Sequence, residues 1–268
     1  MTNNCSPIGV FDSGVGGISV LKEAVKIMPN EDFIFFGDCE NAPYGTKPVD
    51  KIKELTFKNV EYLLELGAKA IMVACNTATS AAVRSLRETY PELPIVGIEP
   101  AIKPAVEAFS EGNILVMATP MTIKQDKFKF LLEKYRGNAD VVPMACPGLM
   151  EFVERGELDT PELKAYLEQI ISLEEWDSEG KKKHFDVIVL GCTHYPFVRK
   201  AIREVAGEGP MIIDGSLGTA QELKRRIAVA GLDNPDKNRT GKVTFLNGFK
   251  DEEKSKKKIE FMKFLFEV

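Results

Sequence analysis

Ile71-Met72-Val73-Ala74-Cys75-Asn76-Thr77 and, much later in the chain, Ile188-Val189-Leu190-Gly191-Cys192-Thr193-His194 follow one plan. Each begins as an unbroken apolar run, passes a small residue, presents a cysteine and ends on polar residues suited to capping a helix. An apolar run without alternation is that of a strand buried on both faces, as in parallel α/β sheets. Ligands of such sheets bind beyond the carboxyl ends of the strands. The repetition therefore predicts two similar lobes, each with a thiol where chemistry is usually placed, and a cleft between two thiols.

Outward from this pair, strand-like runs alternate with helix-period segments, the pattern of an α/β fold with mainly parallel sheets. Ile8–Phe11 reads as a strand, followed by the loop Asp12-Ser13-Gly14-Val15-Gly16-Gly17 and a helix through Met28. Phe33–Gly37 is a second strand, Val49–Leu66 a helix, Ala70–Ala74 the strand before Cys75, and a further helix runs to Tyr90. Pro94–Ile98, Asn113–Ala118, Ala139–Pro143 and Asp186–Leu190 supply more strands, with helices over Thr122–Tyr135 and Pro161–Ser172. Pro and Gly near Glu99–Pro100 and Gly207–Pro210 mark crossovers, so residues 1–98 with 208–268 are expected to form the first lobe and 99–207 the second. Gly218–Ala230 reads as a helix returning to the first lobe. The aromatic stretch Ile259–Phe266 is expected to pack on that lobe or on a partner subunit.

A chain of 268 residues suits two domains, since single domains cluster near ~100–150 residues. Its 44% hydrophobic and 28% charged residues are those of a folded globular protein. A net charge of −5 leaves no broad basic field and disfavours nucleic acid as a partner. Lys181–Lys183 and Lys256–Lys258 read as solvated surface. Met1–Pro7 lacks the pattern of a signal peptide, and no apolar stretch approaches the ~20 residues that span a bilayer, so a cytoplasmic location is expected. The five cysteines, Cys5, Cys39, Cys75, Cys146 and Cys192, are widely spaced without a Cys-x-x-Cys pair, which excludes a disulfide framework or zinc ribbon. With only two histidines, His184 and His194, a Cys/His metal site is hard to assemble.

A thiol between a strand end and a helix start gains from the positive helix terminus, which favours the thiolate. Either cysteine alone reads first as a small buried core residue; two in matched settings reverse that reading and point to chemistry. Cys5, Cys39 and Cys146 have no such match and read as structural. The loop after the first strand lacks both Gly-x-Gly-x-x-Gly spacing and a Walker lysine, so dinucleotide binding is a poor fit. Asp12 and Ser13 suit a substrate ammonium group, or Asp12 simply caps the following helix.

Phe11-Asp12-Ser13-Gly14-Val15-Gly16-Gly17, Asn41-Ala42-Pro43-Tyr44-Gly45, Ala74-Cys75-Asn76-Thr77-Ala78-Thr79 and Gly191-Cys192-Thr193-His194-Tyr195-Pro196 together resemble the glutamate racemases, in order and over nearly the whole chain. The resemblance implies two pseudo-symmetric α/β lobes with the active site in the cleft between them, and cofactor-independent, metal-free interconversion of L- and D-glutamate, supplying D-glutamate for peptidoglycan. It implies that Cys75 and Cys192 are the catalytic acid/bases, with Asp12 assisting near Cys75 and His194 near Cys192. Glu154 matches the family's further acidic residue. Glu151 stands where many members carry an apolar residue or proline, which leaves the choice between these glutamates open. Substrate contacts carry over to Asp12, Ser13, Pro43, Tyr44, Gly45, Asn76, Thr77, Thr119, Thr193 and His194. A homodimer is implied, as is a cell-wall precursor as allosteric activator, which some relatives bind.

By this reading one thiolate removes the α-proton and a thiol on the other face returns one, while hydrogen bonds stabilise the planar carbanion in a site closed to water. Three rivals stand beside it. An aspartate racemase differs in substrate only, and His194 after Cys192-Thr193 and Thr79 after Asn76-Thr77-Ala78 are the glutamate-type wording. A cysteine hydrolase would use Cys192 with His194, a pair that need not touch, and would leave Cys75 idle. A two-lobed amino-acid-binding module would be expected to carry a signal peptide.

Overall fold

In the computed structural model, which describes residues 3–174 and 184–268, β1 (Ile8–Asp12) is buried at every position, as its unalternating sequence requires of a central strand. The chain continues through α1 (Ile18–Ile27), β2 (Phe33–Gly37), α2 (Val49–Glu65), β3 (Ala70–Val73), α3 (Asn76–Thr89) and β4 (Ile95–Gly97). It then enters a second compact unit, Pro100–Gly215. That unit holds α4 (Ile102–Ala108), β5 (Asn113–Ala118), α5 (Pro120–Lys124), α6 (Asp126–Tyr135), β6 (Asp140–Ala145), α7 (Leu149–Glu154), α8 (Pro161–Glu174), β7 (Val187–Leu190), α9 (Arg199–Ala206) and β8 (Met211–Asp214). The chain returns to the first unit with α10 (Ser216–Val229), β9 (Val243–Asn247) and α11 (Glu252–Glu267). The Lys181–Lys183 triplet lies outside the described residues.

The first unit's sheet has the order β4-β3-β1-β2-β9 and the second unit's β6-β5-β7-β8, and every pairing is parallel. Each sheet is flanked by helices, the expected α/β class. In the second unit the strand period of two is visible in the core. Leu115, Met117, Ile188 and Leu190 join residues of α7, α8 and α9 in one cluster, while Ile114, Val116, Val187 and Val189 join α4 and α6 in another. In the first unit, buried Met262 and Leu265 seat α11, and Phe266 meets Phe245 of β9 edge-on at 5.6 Å. The aromatic closing stretch thus packs on its own unit.

Three expectations are corrected. The second crossover follows β8 rather than preceding it, because Met211–Asp214 pairs with β7 from Val187↔Met211 to Leu190↔Asp214; the units are Met1–Glu99 with Ser216–Val268, and Pro100–Gly215. The helix expected over Thr122–Tyr135 is two, parted at Gln125, whose extended backbone (φ −74, ψ 141) ends one and starts the other. Thr119 and Pro120 start α5 early, since the Thr119 side chain accepts from the Thr122 N–H and proline is preset for a first helical turn. Finally, Cys146 is buried but Cys5 is exposed and Cys39 intermediate, so core packing accounts for Cys146 only. Among the described residues no helix is long and apolar enough to cross a membrane.

Candidate active site

In the first unit the chain leaves β1 toward β2 on one side and later lays β3 on the other. That reversal opens a crevice at the carboxyl ends of β1 and β3, where open α/β sheets bind ligands. Asp12 ends β1 and Ser13 follows it; Cys75 follows β3 as the residue preceding α3. The strand ends stay in register, with Ala74 N–H donating to the Phe11 carbonyl at 2.7 Å. Ser13 Oγ lies 3.4 Å from Cys75 Sγ, within reach of a sulfur hydrogen bond. The Asp12 carboxylate is fully buried and accepts from the Gly17 N–H at 2.7 Å. A Cβ on Gly17 would stand 2.7 Å from that of Asp12 and 2.9 Å from that of Ala74, so only glycine lets the turn press on both strand ends.

Asn76 and Thr77 are buried in the first turn of α3. The Asn76 Oδ1 is a buried acceptor with no partner among the described residues, open to a donor such as an ammonium group. Pro43 and Gly45 are partly exposed, whereas Tyr44 is buried and its hydroxyl donates to Asp38 Oδ2 at 2.7 Å. Burial first, then the Asp38 charge and hydrogen bond, push the Tyr44 phenol far above its usual range. Its hydroxyl is therefore spent inside the unit. Asp38, just past β2, and Asn59, on the inward face of α2, were not singled out from sequence; a lone amide among the buried positions of an amphipathic helix was the available signal.

The second unit has its own reversal between β5 and β7. Thr119 follows β5 and Cys192 follows β7, with Gly191 N–H donating to Met117 O at 2.7 Å. A Cβ on Gly191 would meet that carbonyl at 2.8 Å. The expected helix start at Cys192 is not there. Cys192-Thr193-His194 forms a tight turn, with Tyr195 N–H bonded to the Cys192 carbonyl, a 3₁₀ segment Tyr195–Val198 follows, and α9 begins only at Arg199. A short turn has a poorer terminus than a full helix, and an imidazole stands in for it. His194 Nδ1 is 3.7 Å from Cys192 Sγ, and its Nε2 is 2.9 Å from Glu154 Oε1. Cys192 and His194 therefore do touch, and Glu154 rather than Glu151 reaches the histidine.

Burial acts to strip the proton from His194. The hydrogen bonds and charges of Cys192 and Glu154 outweigh it and hold the imidazolium well above its ordinary range. When protonated, both ring nitrogens are donors, one to each neighbour. Thr193 is buried beside them. Thr119 Oγ1 accepts from Thr122 N–H at 3.2 Å and shares a hydrogen with Thr122 Oγ1 at 2.9 Å. Each unit thus brings a thiol and a distinct polar partner to its own strand-end crevice.

Known proteins share this fold and much of this sequence. The profile of the Asp/Glu/hydantoin racemase family matches residues 21–223. A glutamate racemase of Clostridium novyi (strain NT) is 53% identical over 238 residues, covering 88% of this chain and 90% of that protein. The crystal structure of glutamate racemase from Thermus thermophilus in complex with β-chloro-D-alanine has a TM-score of 0.78 at 33% identity, covering 97% of this chain and 94% of that one. The Escherichia coli glutamate racemase in complex with L-glutamate and the activator UDP-MurNAc-Ala has a TM-score of 0.78 at 26% identity, covering 98% and 94%. The chain belongs to the Asp/Glu/hydantoin racemase family and, like its relatives at about half identity, is an isomerase of the glutamate racemase kind.

Proposed function

We propose that this chain interconverts L- and D-glutamate without a cofactor by passing the α-proton between Cys75 and Cys192. Relatives named glutamate racemase at about half identity support the substrate. The observation that carries the mechanism is that each unit ends its own pair of inner strands on one thiol with one polar partner: Ser13 at Cys75, and His194, backed by Glu154, at Cys192.

The α-proton of an amino acid is weakly acidic, so the site must stabilise the carbanion electrostatically. The Asp12 carboxylate and the open Asn76 Oδ1 suit the substrate ammonium. The Thr77 and Thr193 hydroxyls, and the N–H groups that start α3, suit its carboxylates; Pro43, Tyr44 and Gly45 contribute backbone groups, and Thr119 a hydroxyl at the second crevice. With L-glutamate, the Cys192 thiolate, paired with the His194 imidazolium, takes the α-proton and becomes a thiol. The Cys75 thiol gives its proton to the opposite face of the α-carbon and is left as thiolate. D-glutamate runs the same transfers in reverse from the Cys75 thiolate. Two bases are needed because each enantiomer presents its proton to one face.

The same reading gives the product to bacterial peptidoglycan synthesis in the cytoplasm, with the protein as a homodimer. An activator of the nucleotide-precursor class named in the E. coli structure belongs to it as well, and is tested by the rate with and without that compound. A cysteine hydrolase shares the 3.7 Å Cys192–His194 contact, but it leaves the Ser13–Cys75 pair without a task. The pure protein, given L-glutamate or L-aspartate with no added cofactor, is expected to abolish the optical rotation of glutamate and leave aspartate nearly unchanged. Inertness to glutamate, or activity lost to a chelator and regained only with metal, overturns the reading.

A further inference from the structure

Asp38 is 2% exposed, and its carboxylate accepts from the side chains of Asn41, Tyr44 and Asn59 around the Pro43–Gly45 segment. Oδ2 accepts from the Tyr44 hydroxyl at 2.7 Å and from Asn59 Nδ2 at 3.0 Å. Asn41 Nδ2 approaches Oδ1 at 2.9 Å and Oδ2 at 3.2 Å. Asn59 Nδ2 also donates to the Tyr44 oxygen at 3.0 Å, closing a triangle. The backbone of Asp38 is itself tied to the crevice, since its N–H donates to the Asp12 carbonyl at 2.9 Å. The Tyr44 ring, whose centroid is 6.0 Å from that of Phe11, is wedged against β1.

We propose that Asp38 and Asn59 are positioning residues that lock the Pro43–Gly45 segment beside Asp12, so that the segment meets the substrate through its backbone rather than through the Tyr44 phenol. The inference rests on the reading that this segment binds glutamate. A phenol donating to a buried carboxylate while accepting from an amide has its strongest polar valences filled. Releasing it would leave the carboxylate short of a donor in a buried place, which is costly. The triangle thus fixes the loop more firmly than its partly exposed ends would on their own.

The test is a set of variants assayed for KM and kcat with L-glutamate and for thermal midpoint. Asp38→Ala and Tyr44→Phe are each expected to raise KM about tenfold with a smaller change in kcat. The double variant is expected to do little more than the worse single one, because both break the same triangle. Asp38→Asn is expected to recover most of the loss: its amide oxygen still accepts from Tyr44 and Asn59, and Asn41 can turn its own amide to match. Asn59→Ala, which removes a donor from the facing helix, gives the same comparison if Asp38→Ala does not fold. Effects of Tyr44→Phe and Asp38→Ala that multiply, or an Asp38→Ala protein that loses thermal stability with an unchanged KM, overturn the positioning role alone. A wild-type protein inert to glutamate overturns the racemase reading and this inference with it.

Discussion

His194 Nε2 and Glu154 Oε1 lie 2.9 Å apart across a sequence separation of 40 residues, joining the last residue of α7 to the turn after β7. The contact gives the buried imidazole a carboxylate on the side away from Cys192. It is the main difference between the two thiol settings, because Cys75 has a full helix start and a serine instead.

Glu154→Gln removes that carboxylate and leaves burial, which works against the charge, more weakly opposed. The folded-state pKa of His194 lies above its ordinary value. Its contribution to stability is therefore complete below about 6.5 and is lost as pH climbs through the raised value. The stability gap between wild type and Glu154→Gln is expected to be widest in mildly acidic solution, between the ordinary carboxylate and imidazole ranges, and to close in alkali. In the rate profile the alkaline limb should move to lower pH, with kcat/KM reduced on the order of tenfold to a hundredfold. An unmoved alkaline limb would count against His194 as the cationic partner of Cys192.

Cys75→Ala should abolish inversion while leaving slow, configuration-retaining exchange of the α-hydrogen of L-glutamate with heavy water at Cys192. Cys192→Ala should behave as its mirror image with D-glutamate. In the wild type, early product should carry solvent deuterium and recovered substrate should keep its hydrogen. Proton NMR of the α-position decides this, and equal early labelling of substrate and product would indicate a single base serving both faces.

Ser13→Ala deletes the hydroxyl that lies 3.4 Å from Cys75 Sγ. A hydrogen bond to a charged group is worth about 1.5–3 kcal/mol, so kcat/KM should fall roughly tenfold to a hundredfold. The enantiomers have equal free energies, and that fall must be the same in both directions although only one thiol is touched. The asymmetry should instead appear in kcat and in slower alkylation at Cys75. Unchanged alkylation of Cys75 would refute the assigned partnership.

Lys69 and Glu31 form an ion pair of 2.6 Å with side chains 0% and 4% exposed, and Glu31 also accepts from the Asn234 N–H at 2.8 Å. Lys69→Met strands a buried carboxylate and should cost about 3–5 kcal/mol of stability. Adding Glu31→Gln should restore part of it, since the amide oxygen still accepts from Asn234. Urea denaturation checks both; a single variant within about 1 kcal/mol of wild type would show the pair to be solvated.

The sequence by itself determined the class of fold and the two thiol-bearing turns. β2 and β5 run over the residues expected, and β1 and β3 differ by a residue at one end, because a strand buried on both faces announces itself by an apolar run that needs no distant partner to be read. Cys75 and Cys192 were legible for the same reason, being the residues where such runs stop. Tertiary structure alone decided the rest. Met211–Asp214 becomes an edge strand of the second sheet only because β7 lies open beside it, and the half-buried Val243–Asn247 joins the first sheet by pairing with β2. The choice of Glu154 over Glu151, the contact of Cys192 with His194, and the capture of the Tyr44 hydroxyl by Asp38 and Asn59 are likewise meetings between side chains whose spacing along the chain carries no period. Local sequence encodes backbone periodicity and caps; which polar group satisfies which is settled only when burial removes water as the alternative partner.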